Sequence, residues 1–240
     1  MSEAPRPRCY WLERGQGQPL VLLHGLLGHM DHWDAVLESL EPRCRVLAPE
    51  LPLFDPALPE VSIEGLMDEV VRFMDTVGAG RAVVGGNSLG GRIALALALD
   101  HPARVCGLVL TGSSGIDGAL VTGEWVEAVR QTVANRDEAR RTLKLARAAR
   151  RHHVESRLGE LRVPTLIVWG KDDRITPPEA GERLHALIAG SQLVVLANCG
   201  HAPMLEQPAA FNAVLAEWLL DRGWGRLTPT AAALGMGGCR

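Results

Sequence analysis

The chain has 240 residues, of which 47% are hydrophobic, and its formal net charge is −3. This length suffices for one large domain with a full core, and the composition is typical of a soluble globular protein. The near-neutral charge gives no indication of a nucleic-acid partner. No apolar run approaches the roughly 18–20 residues of a membrane span, and the first residues do not resemble a signal sequence. We therefore expect a cytoplasmic protein that does not insert into membranes.

The five cysteines are scattered and form no C-x-x-C pair and no metal-ligand spacing. We interpret them as free thiols in a reducing compartment. The sequence also lacks a glycine-rich phosphate loop, a G-x-G-x-x-G after a strand and a His/Asp/Glu cluster with metal spacing. No cofactor and no metal are therefore expected, and the sequence does not determine the oligomeric state.

Short apolar runs alternate with longer helical patterns along most of the chain. Because strands that alternate with helices form parallel sheets, this order predicts an α/β domain with a mostly parallel central sheet flanked by helices. Strands are expected at 8–13, 20–24, 45–48, 82–85, 107–111, 165–169 and 192–196. Helices are expected at 34–40, 63–77, 89–100, 179–188 and 208–220.

One segment interrupts the alternation. Residues 115–161 contain no strand pattern, and helical patterns occupy positions 124–134 and 136–159. Since this insertion exceeds an ordinary connection, we interpret it as a short helical lid over an active site. A pair of crossover helices is the alternative. The core domain then comprises residues 1–114 and 162–222, and residues 223–240 are expected to form a flexible tail.

The lid segment (115–161) is rich in cations. A charge run on a helix usually forms a solvated face, which is our first interpretation. Alternatively, some of these side chains point inward and attract a substrate carboxylate. The residues concerned are Arg136, Arg140, Arg141, Lys144, Arg147, Arg150, Arg151, His152, His153 and Arg157.

The sequence Gly86-Asn87-Ser88-Leu89-Gly90 is the most informative motif. An apolar run precedes it and a helix-forming run follows, which is the strand–turn–helix context of a nucleophile elbow. Glycines flank the serine because a Cβ at either position would collide with the neighbouring strand and helix. Ser88 is then exposed at a helix N-terminus, where free backbone N–H groups can stabilise an oxyanion. A glycine-rich turn with a buried serine is the alternative.

A serine needs a base and an orienting acid to act as a nucleophile at neutral pH. Asp172 and Asp173 follow the strand expected at 165–169, and His201 follows the strand expected at 192–196. Because the carboxyl ends of parallel strands share one edge of the sheet, an aspartate and His201 can converge there on the serine.

Four motifs give the chain a resemblance to the α/β-hydrolase fold superfamily over roughly residues 8–220. The oxyanion loop of that family is similar to residues 24–28 (HGLLG), and its nucleophile elbow is similar to 86–91. Its acid loop, G-x-x-D-x-x-x-P, is similar to residues 169–177, and its histidine loop to residues 199–201. The order nucleophile, acid, histidine is also that of the family.

The resemblance implies a role for each of five residues. Ser88 would be the nucleophile and His201 the general base. Asp173 would be the acid, because the acid-loop pattern places the aspartate three residues after its glycine. The backbone N–H groups of Leu26 and Leu89 would form the oxyanion hole.

Residues around these motifs have supporting roles. His24 is expected to brace the oxyanion loop, and the six remaining histidines are expected to be structural or exposed. The loop at 53–59 departs from the Gly-His-Gly turn of many relatives and is apolar and proline-rich. It forms either a pocket wall or a rigid surface loop.

Three functions fit these residues. The first is a carboxylic ester hydrolase, with a small-molecule ester as substrate and an acyl-serine intermediate. The second is a carbon–carbon bond hydrolase of ring-cleavage diketo acids. Asn87 resembles that group, whereas Ala202 stands where such enzymes commonly carry Trp. The third is a non-catalytic ligand receptor. Epoxide hydrolases and haloalkane dehalogenases usually need an aspartate at the position of Ser88.

Overall fold

A computed structural model describes residues 9–55, 57, 62–114, 127, 136–152 and 154–225. In this part of the chain, seven strands form one sheet. They are β1 (Trp11–Arg14), β2 (Pro19–Leu23), β3 (Arg45–Pro49), β4 (Ala82–Asn87), β5 (Val105–Thr111), β6 (Thr165–Gly170) and β7 (Gln192–Leu196). Their order across the sheet is β1-β3-β2-β4-β5-β6-β7, and β1 alone of these seven is antiparallel to its neighbour.

The helices of the described residues are α1 (Asp34–Leu40), α2 (Ile63–Thr76), α3 (Leu89–Asp100), α4 (Arg136–Arg151), α5 (Pro178–Leu187), α6 (Pro203–Glu206) and α7 (Pro208–Asp221). Short 3-10 turns lie at Met30–Trp33, Pro102–Arg104 and Glu155–Glu160. None of the helices described is long and apolar enough to cross a membrane. The predicted mostly parallel sheet flanked by helices is confirmed.

Both faces of the sheet are covered, which explains why its inner strands are continuously apolar. On β2, Val21 and Leu23 face the core formed with α2 and α3, while Leu20 and Leu22 face the core formed with α1 and α7. All four side chains are fully buried. The carboxyl ends of β2, β4, β5, β6 and β7 therefore meet at one edge of a rigid sheet.

The helical pattern at 136–159 predicted one continuous helix, and its last part is wrong. Helix α4 ends at Arg151, and a 3-10 turn follows at Glu155–Glu160. Arg92 of α3 donates to the His152 carbonyl oxygen there. The side chains of Val154 and Leu158 then enter the core, with 1% and 0% exposure. These contacts draw the chain toward the sheet, which a continued helix would not do.

Three further predictions concern residues that lie mostly outside the described part of the chain. The helix expected at 124–134 lies outside them except for Glu127, and so do His153 and most of the expected C-terminal tail. The first tail residues are described. Trp224 packs edge-on against Trp218 with 5.6 Å between ring centroids, so the packed core extends to this tryptophan.

Candidate active site

Ser88 occupies the tight turn between β4 and α3. Its backbone has φ 55° and ψ −112°, a combination that is strained for a residue with a side chain. A Cβ on Gly86 would collide with the backbone of Gly90, and a Cβ on Gly90 would lie 2.7 Å from the His24 carbonyl oxygen. The prediction that both flanking glycines are required by close neighbours is confirmed. The turn leaves the Ser88 side chain half-buried at the N-terminus of α3.

His201 and Asp173 lie together at the same edge of the sheet. The distance between His201 Nδ1 and Asp173 Oδ2 is 2.9 Å. A carboxylate only accepts hydrogen bonds, so Nδ1 carries the proton and Nε2 of the neutral ring is left with its lone pair. Asp172 is exposed, and its backbone N–H donates to the Cys199 carbonyl at 2.8 Å.

The carboxylate of Asp173 is buried and has donors on both oxygens. Its Oδ1 accepts from the backbone N–H groups of Ile175 and Thr176, each at 2.9 Å. Its Oδ2 lies 2.9 Å from the Thr176 hydroxyl as well as from His201. These donors replace the water that a buried carboxylate loses, so the loop satisfies the hydrogen-bonding capacity of Asp173 beside His201.

The histidine loop (199–201) is held on both sides of His201. The carboxylate of Glu206 accepts from the N–H groups of Gly200, at 2.6 Å, and Ala202, at 2.9 Å. The side-chain amide of Asn87 donates to the His201 carbonyl at 2.9 Å. Since Asn87 is the residue before Ser88, this bond fastens the histidine loop directly to the elbow.

The oxyanion loop (24–28) also lies against the elbow. A Cβ on Gly25 would be 3.3 Å from the Ser88 Cβ and 3.2 Å from the Asn87 Oδ1. The loop closes with a 3.1 Å hydrogen bond from the Gly28 N–H to the Gly25 carbonyl. Leu26 lies between these glycines and is 8% exposed.

Leu89 directly follows Ser88 in the chain. It is the first residue of α3, so its N–H has no acceptor within the helix. The backbone groups predicted for the oxyanion hole therefore belong to two segments that flank Ser88.

His24, the first residue of the oxyanion loop, is fully buried. Its Nδ1 lies 2.8 Å from the Gly25 carbonyl, and the Leu51 N–H donates to its Nε2 at 2.9 Å. Because Nε2 accepts, the ring is neutral and Nδ1 donates to Gly25. Burial lowers the pKa of His24, although the Glu50 carboxylate opposes this shift. The prediction that His24 braces this loop is confirmed.

The cations on α4 whose side chains are described do not form an inward-facing cluster. Thr142, Leu145 and Ala149 are the buried residues of the helix, while the side chains on the opposite face are exposed. Arg141 is half-buried and donates to the carbonyls of Leu53 and Asp55, at 3.1 and 2.9 Å. The exposed side chains include Arg136, Arg140, Lys144 and Arg147.

The loop that follows β3 is anchored at its described end. Leu51 and Leu53 are buried, with 4% and 3% exposure, while Phe54 is 41% exposed. This end therefore packs against the core, and Arg141 fastens it to α4. Position 56 and positions 58–61 lie outside the described residues.

Cys199 lies two residues before His201 and is buried. Burial raises the pKa of its thiol to about 11, with smaller contributions from the Glu206, Asp173 and Asp172 carboxylates. The thiol stays protonated at neutral pH and is a poor nucleophile. The four described cysteines are free thiols, and Cys239 lies outside the described residues.

Sequence reasoning missed three residues that hold the site together, namely Asn87, Thr176 and Glu206. Thr176 had a usable signal, because an Asp side chain commonly accepts from N–H groups two and three residues later. Asn87 bonds to a loop that is distant in sequence, and no local pattern shows such a contact. Glu206 accepts from N–H groups only four and six residues earlier, at Ala202 and Gly200. Among the described residues, no three His, Cys, Asp or Glu side chains are placed to hold a metal ion.

A family model for the alpha/beta hydrolase family matches residues 20–214. The chain belongs to the alpha/beta hydrolase family, and it is a hydrolase by that membership. Its fold is similar to that of MGS-MChE2, an alpha/beta hydrolase enzyme from the metagenome of sediments from the lagoon of Mar Chica, Morocco. The two share 37% identity with a TM-score of 0.80, over 91% of this chain and 98% of the other.

Two characterised relatives carry different activities in their names. The 2-hydroxymuconate semialdehyde hydrolase of Pseudomonas sp. (strain CF600) is 29% identical over 255 residues, with 87% of this chain and 89% of the relative covered. The pimeloyl-[acyl-carrier protein] methyl ester esterase of Nitrosomonas europaea is 28% identical over 238 residues, covering 82% and 94%. Each relative aligns with more than four fifths of this chain, so the extent of the alignment favours neither activity.

Proposed function

We propose that this hydrolase cleaves carboxylic esters of small molecules through an acyl intermediate on Ser88. The observation that carries the proposal is the 2.9 Å contact between His201 Nδ1 and the buried Asp173 carboxylate. It leaves the opposite nitrogen of the ring, Nε2, as an available base at the edge of the sheet where Ser88 projects. A histidine that is paired in this way with an aspartate activates a serine for nucleophilic acyl transfer on several unrelated folds.

In the first half of the proposed reaction, Ser88 Oγ attacks the ester carbonyl carbon while His201 Nε2 takes the hydroxyl proton. The N–H groups of Leu26 and Leu89 stabilise the oxyanion of the tetrahedral intermediate. When this intermediate collapses, the alcohol leaves with the proton from Nε2, and the acyl group stays on Ser88. Asp173 remains ionised throughout and stabilises the imidazolium.

In the second half, a water molecule gives a proton to His201 Nε2 and attacks the acyl carbon. The second tetrahedral intermediate collapses to the carboxylic acid, and Ser88 Oγ regains the proton from Nε2. The enzyme returns to its starting state with one ester and one water consumed. No other reactant is needed.

We also propose that α4 and its flanking residues form a lid over this site. Helix α4 lies between β5 and β6, and Arg141 joins it to the loop after β3. That loop adjoins the oxyanion loop through the bond between Leu51 and His24. A cover attached there would exclude bulk water from the reacting carbonyl.

A carbon–carbon bond hydrolase is the second candidate, favoured by the activity named for the Pseudomonas relative. Such a substrate carries a carboxylate that a cationic side chain would bind. The described cations of α4 weigh against it, because they are exposed or, like Arg141, donate to backbone carbonyls. Ester hydrolysis makes no such demand, and the Nitrosomonas relative is named for it.

The test measures kcat/KM for p-nitrophenyl acetate, butyrate and octanoate beside a 2-hydroxy-6-oxohexa-2,4-dienoate, followed by the loss of dienolate absorbance. We expect ester turnover that falls by about 10⁴-fold or more in Ser88→Ala. Ser114→Ala is the matched control, since its hydroxyl lies 3.4 Å from the Ser88 carbonyl oxygen. It should stay within about threefold of the wild type, as expected for a neighbouring hydroxyl outside the reaction.

Two results would overturn the proposal. Dienoate cleavage with a higher kcat/KM than the best ester would make the second candidate the function. Ester hydrolysis that is equally slow in the wild type and Ser88→Ala would show that Ser88 performs no ester chemistry. In the latter case, tight stabilisation by a ligand without turnover would favour the receptor hypothesis.

A further inference from the structure

Thr176 is a buried polar residue beside the Asp173–His201 pair, with 4% exposure. Its hydroxyl oxygen lies 2.9 Å from Asp173 Oδ2, 2.9 Å from the Gly112 carbonyl and 3.2 Å from His201 Nδ1. Three functional groups of three different segments therefore converge on one oxygen atom. They are the Asp173 carboxylate, the carbonyl of Gly112 just after β5 and the His201 imidazole.

The hydrogen bonds of the Thr176 hydroxyl follow from which neighbouring groups can donate a proton and which can only accept one. A hydroxyl has one proton to donate, and both the carboxylate and the Gly112 carbonyl can only accept it. His201 Nδ1 bears a proton that points to Asp173 Oδ2 at 2.9 Å and, more weakly, to the Thr176 oxygen at 3.2 Å. The two acceptors therefore share the single hydroxyl proton, while a lone pair of the hydroxyl oxygen faces the imidazole proton.

Gly112 also lies against the imidazole ring of His201. Its φ is +50°, and a Cβ there would lie 3.0 Å from both Cε1 and Nδ1 of His201. The backbone of Gly112 is thus in close contact with the imidazole, and its carbonyl is the group that the Thr176 hydroxyl reaches. Because the Thr176 hydroxyl contacts both this carbonyl and Asp173 Oδ2, it fixes the Asp173 carboxylate relative to the Gly112 backbone, against which the His201 ring packs.

We propose that Thr176 is a positioning residue for the reaction. Its hydroxyl holds Asp173 Oδ2 in line with His201 Nδ1, which keeps Nε2 directed toward Ser88. Thr176 touches neither the substrate nor the reacting atoms in this scheme. The inference rests on the proposed function of Ser88 and His201, but it concerns activation of the serine and holds for any acyl group transferred to it.

Two substitutions separate the hydroxyl from the rest of the side chain. Thr176→Val keeps the branched shape and removes the hydroxyl, whereas Thr176→Ser keeps the hydroxyl and removes the methyl group. We expect kcat to fall by about 10- to 100-fold in Thr176→Val, the effect of losing one hydrogen bond to a charged group. KM should change by less than about twofold, because uniform substrate binding is untouched. Thr176→Ser should retain about a third or more of the wild-type kcat, since its hydroxyl preserves that bond.

A second readout needs no ester substrate. The rate at which a fluorophosphonate phosphonylates Ser88, with fluoride as the leaving group, reports activation of the serine by His201. We expect the same order, with the wild type and Thr176→Ser fast and Thr176→Val slow. The low-field proton NMR resonance of His201 Nδ1–H should persist in Thr176→Ser and move or disappear in Thr176→Val. If Thr176→Val does not fold, Thr176→Cys replaces it, because a thiol is only a weak donor.

The outcomes separate this inference from the proposed function. Fast labelling without ester turnover refutes the ester hydrolase, while the labelling rates of the variants still decide the role of Thr176. Wild-type labelling in Thr176→Val overturns the inference. So does an equal loss in Thr176→Ser, which would assign the effect to packing of the methyl group. A wild type that is not labelled also overturns it, because no activated serine exists for Thr176 to support.

Discussion

The two sides of the candidate site are held by different kinds of contact. On the sheet side, the loops after β4, β6 and β7 are joined by hydrogen bonds between side chains and buried groups, centred on Asp173 and His201. On the α4 side, the contacts are an apolar stripe and arginines that donate to backbone carbonyls. The hydrogen bonds on the sheet side fix the positions of individual atoms, whereas the contacts on the α4 side fix only the position of the helix against its neighbours.

This difference is consistent with the proposal that the sheet side performs the chemistry. A general base must be within hydrogen-bond reach of its proton, so a small displacement on the sheet side removes its effect. A cover needs only to exclude water and to contact the substrate, and its contacts can change with little effect on the reacting atoms. We expect substitutions on the sheet side to act on kcat and those on the α4 side to act on local stability.

The largest effect is expected for the acid on the sheet side. Asp173→Asn keeps the size of the side chain but replaces one acceptor oxygen with a donor, which favours the wrong tautomer of His201. We expect kcat to fall by about 10⁴-fold. Asp172→Asn, at the exposed neighbour, should stay close to the wild type, and steady-state ester kinetics measure both. A larger loss in Asp172→Asn than in Asp173→Asn would contradict the pairing seen here.

The next effect concerns the backbone that shapes the elbow. A Cβ on Gly90 would collide with the Leu23 carbonyl and lie 2.7 Å from that of His24. Because both are backbone atoms at the carboxyl end of β2, they cannot easily move away, and we expect Gly90→Ala to lower the free energy of unfolding by about 3 kcal/mol or more. Gly80→Ala is the control, since a Cβ there meets nothing within 4 Å. Urea denaturation should find the control unchanged, and equal losses in both would argue against a steric cause.

The smallest effect is expected on the α4 side. Arg141→Met keeps the aliphatic bulk and removes the donors to the Leu53 and Asp55 carbonyls. We expect a loss of about 1 kcal/mol and faster amide hydrogen exchange in residues 51–55, with β4 unchanged. Arg140→Met is the control, because its side chain is 81% exposed on the same helix. Exchange that accelerates in β4 as well would mean that the two sides are not independent.

Much of the core could be predicted from local patterns. The apolar runs gave the seven strands to within a few residues, and α1 and α3 begin and end where the sequence predicted. This works because parallel strands covered on both faces must be apolar throughout. The need for glycine on both sides of Ser88 could be predicted equally well, because only glycine fits where backbones come this close.

The contacts around Asp173 and His201 were harder to predict from the sequence. The spacing from Gly170 to Asp173 could be compared with a family pattern, whereas the bond from Asn87 to the His201 carbonyl joins residues 114 positions apart. No periodicity encodes such a contact, since it depends on how two strands align in the sheet. The end of α4 was missed for the same reason, because Arg92 reaches its last turn from another helix.

The sequence by itself determined the parallel sheet, the strand–turn–helix around Ser88 and the edge where the polar loops gather. These follow from local sterics and from burial, which act over a few residues. Only the tertiary structure decided that Asn87 fastens the histidine loop to the elbow, that the Thr176 hydroxyl reaches the Gly112 carbonyl and that Arg141 binds the loop after β3. Those contacts depend on the distances between loops, and such distances exist only once the sheet has brought the strand ends together.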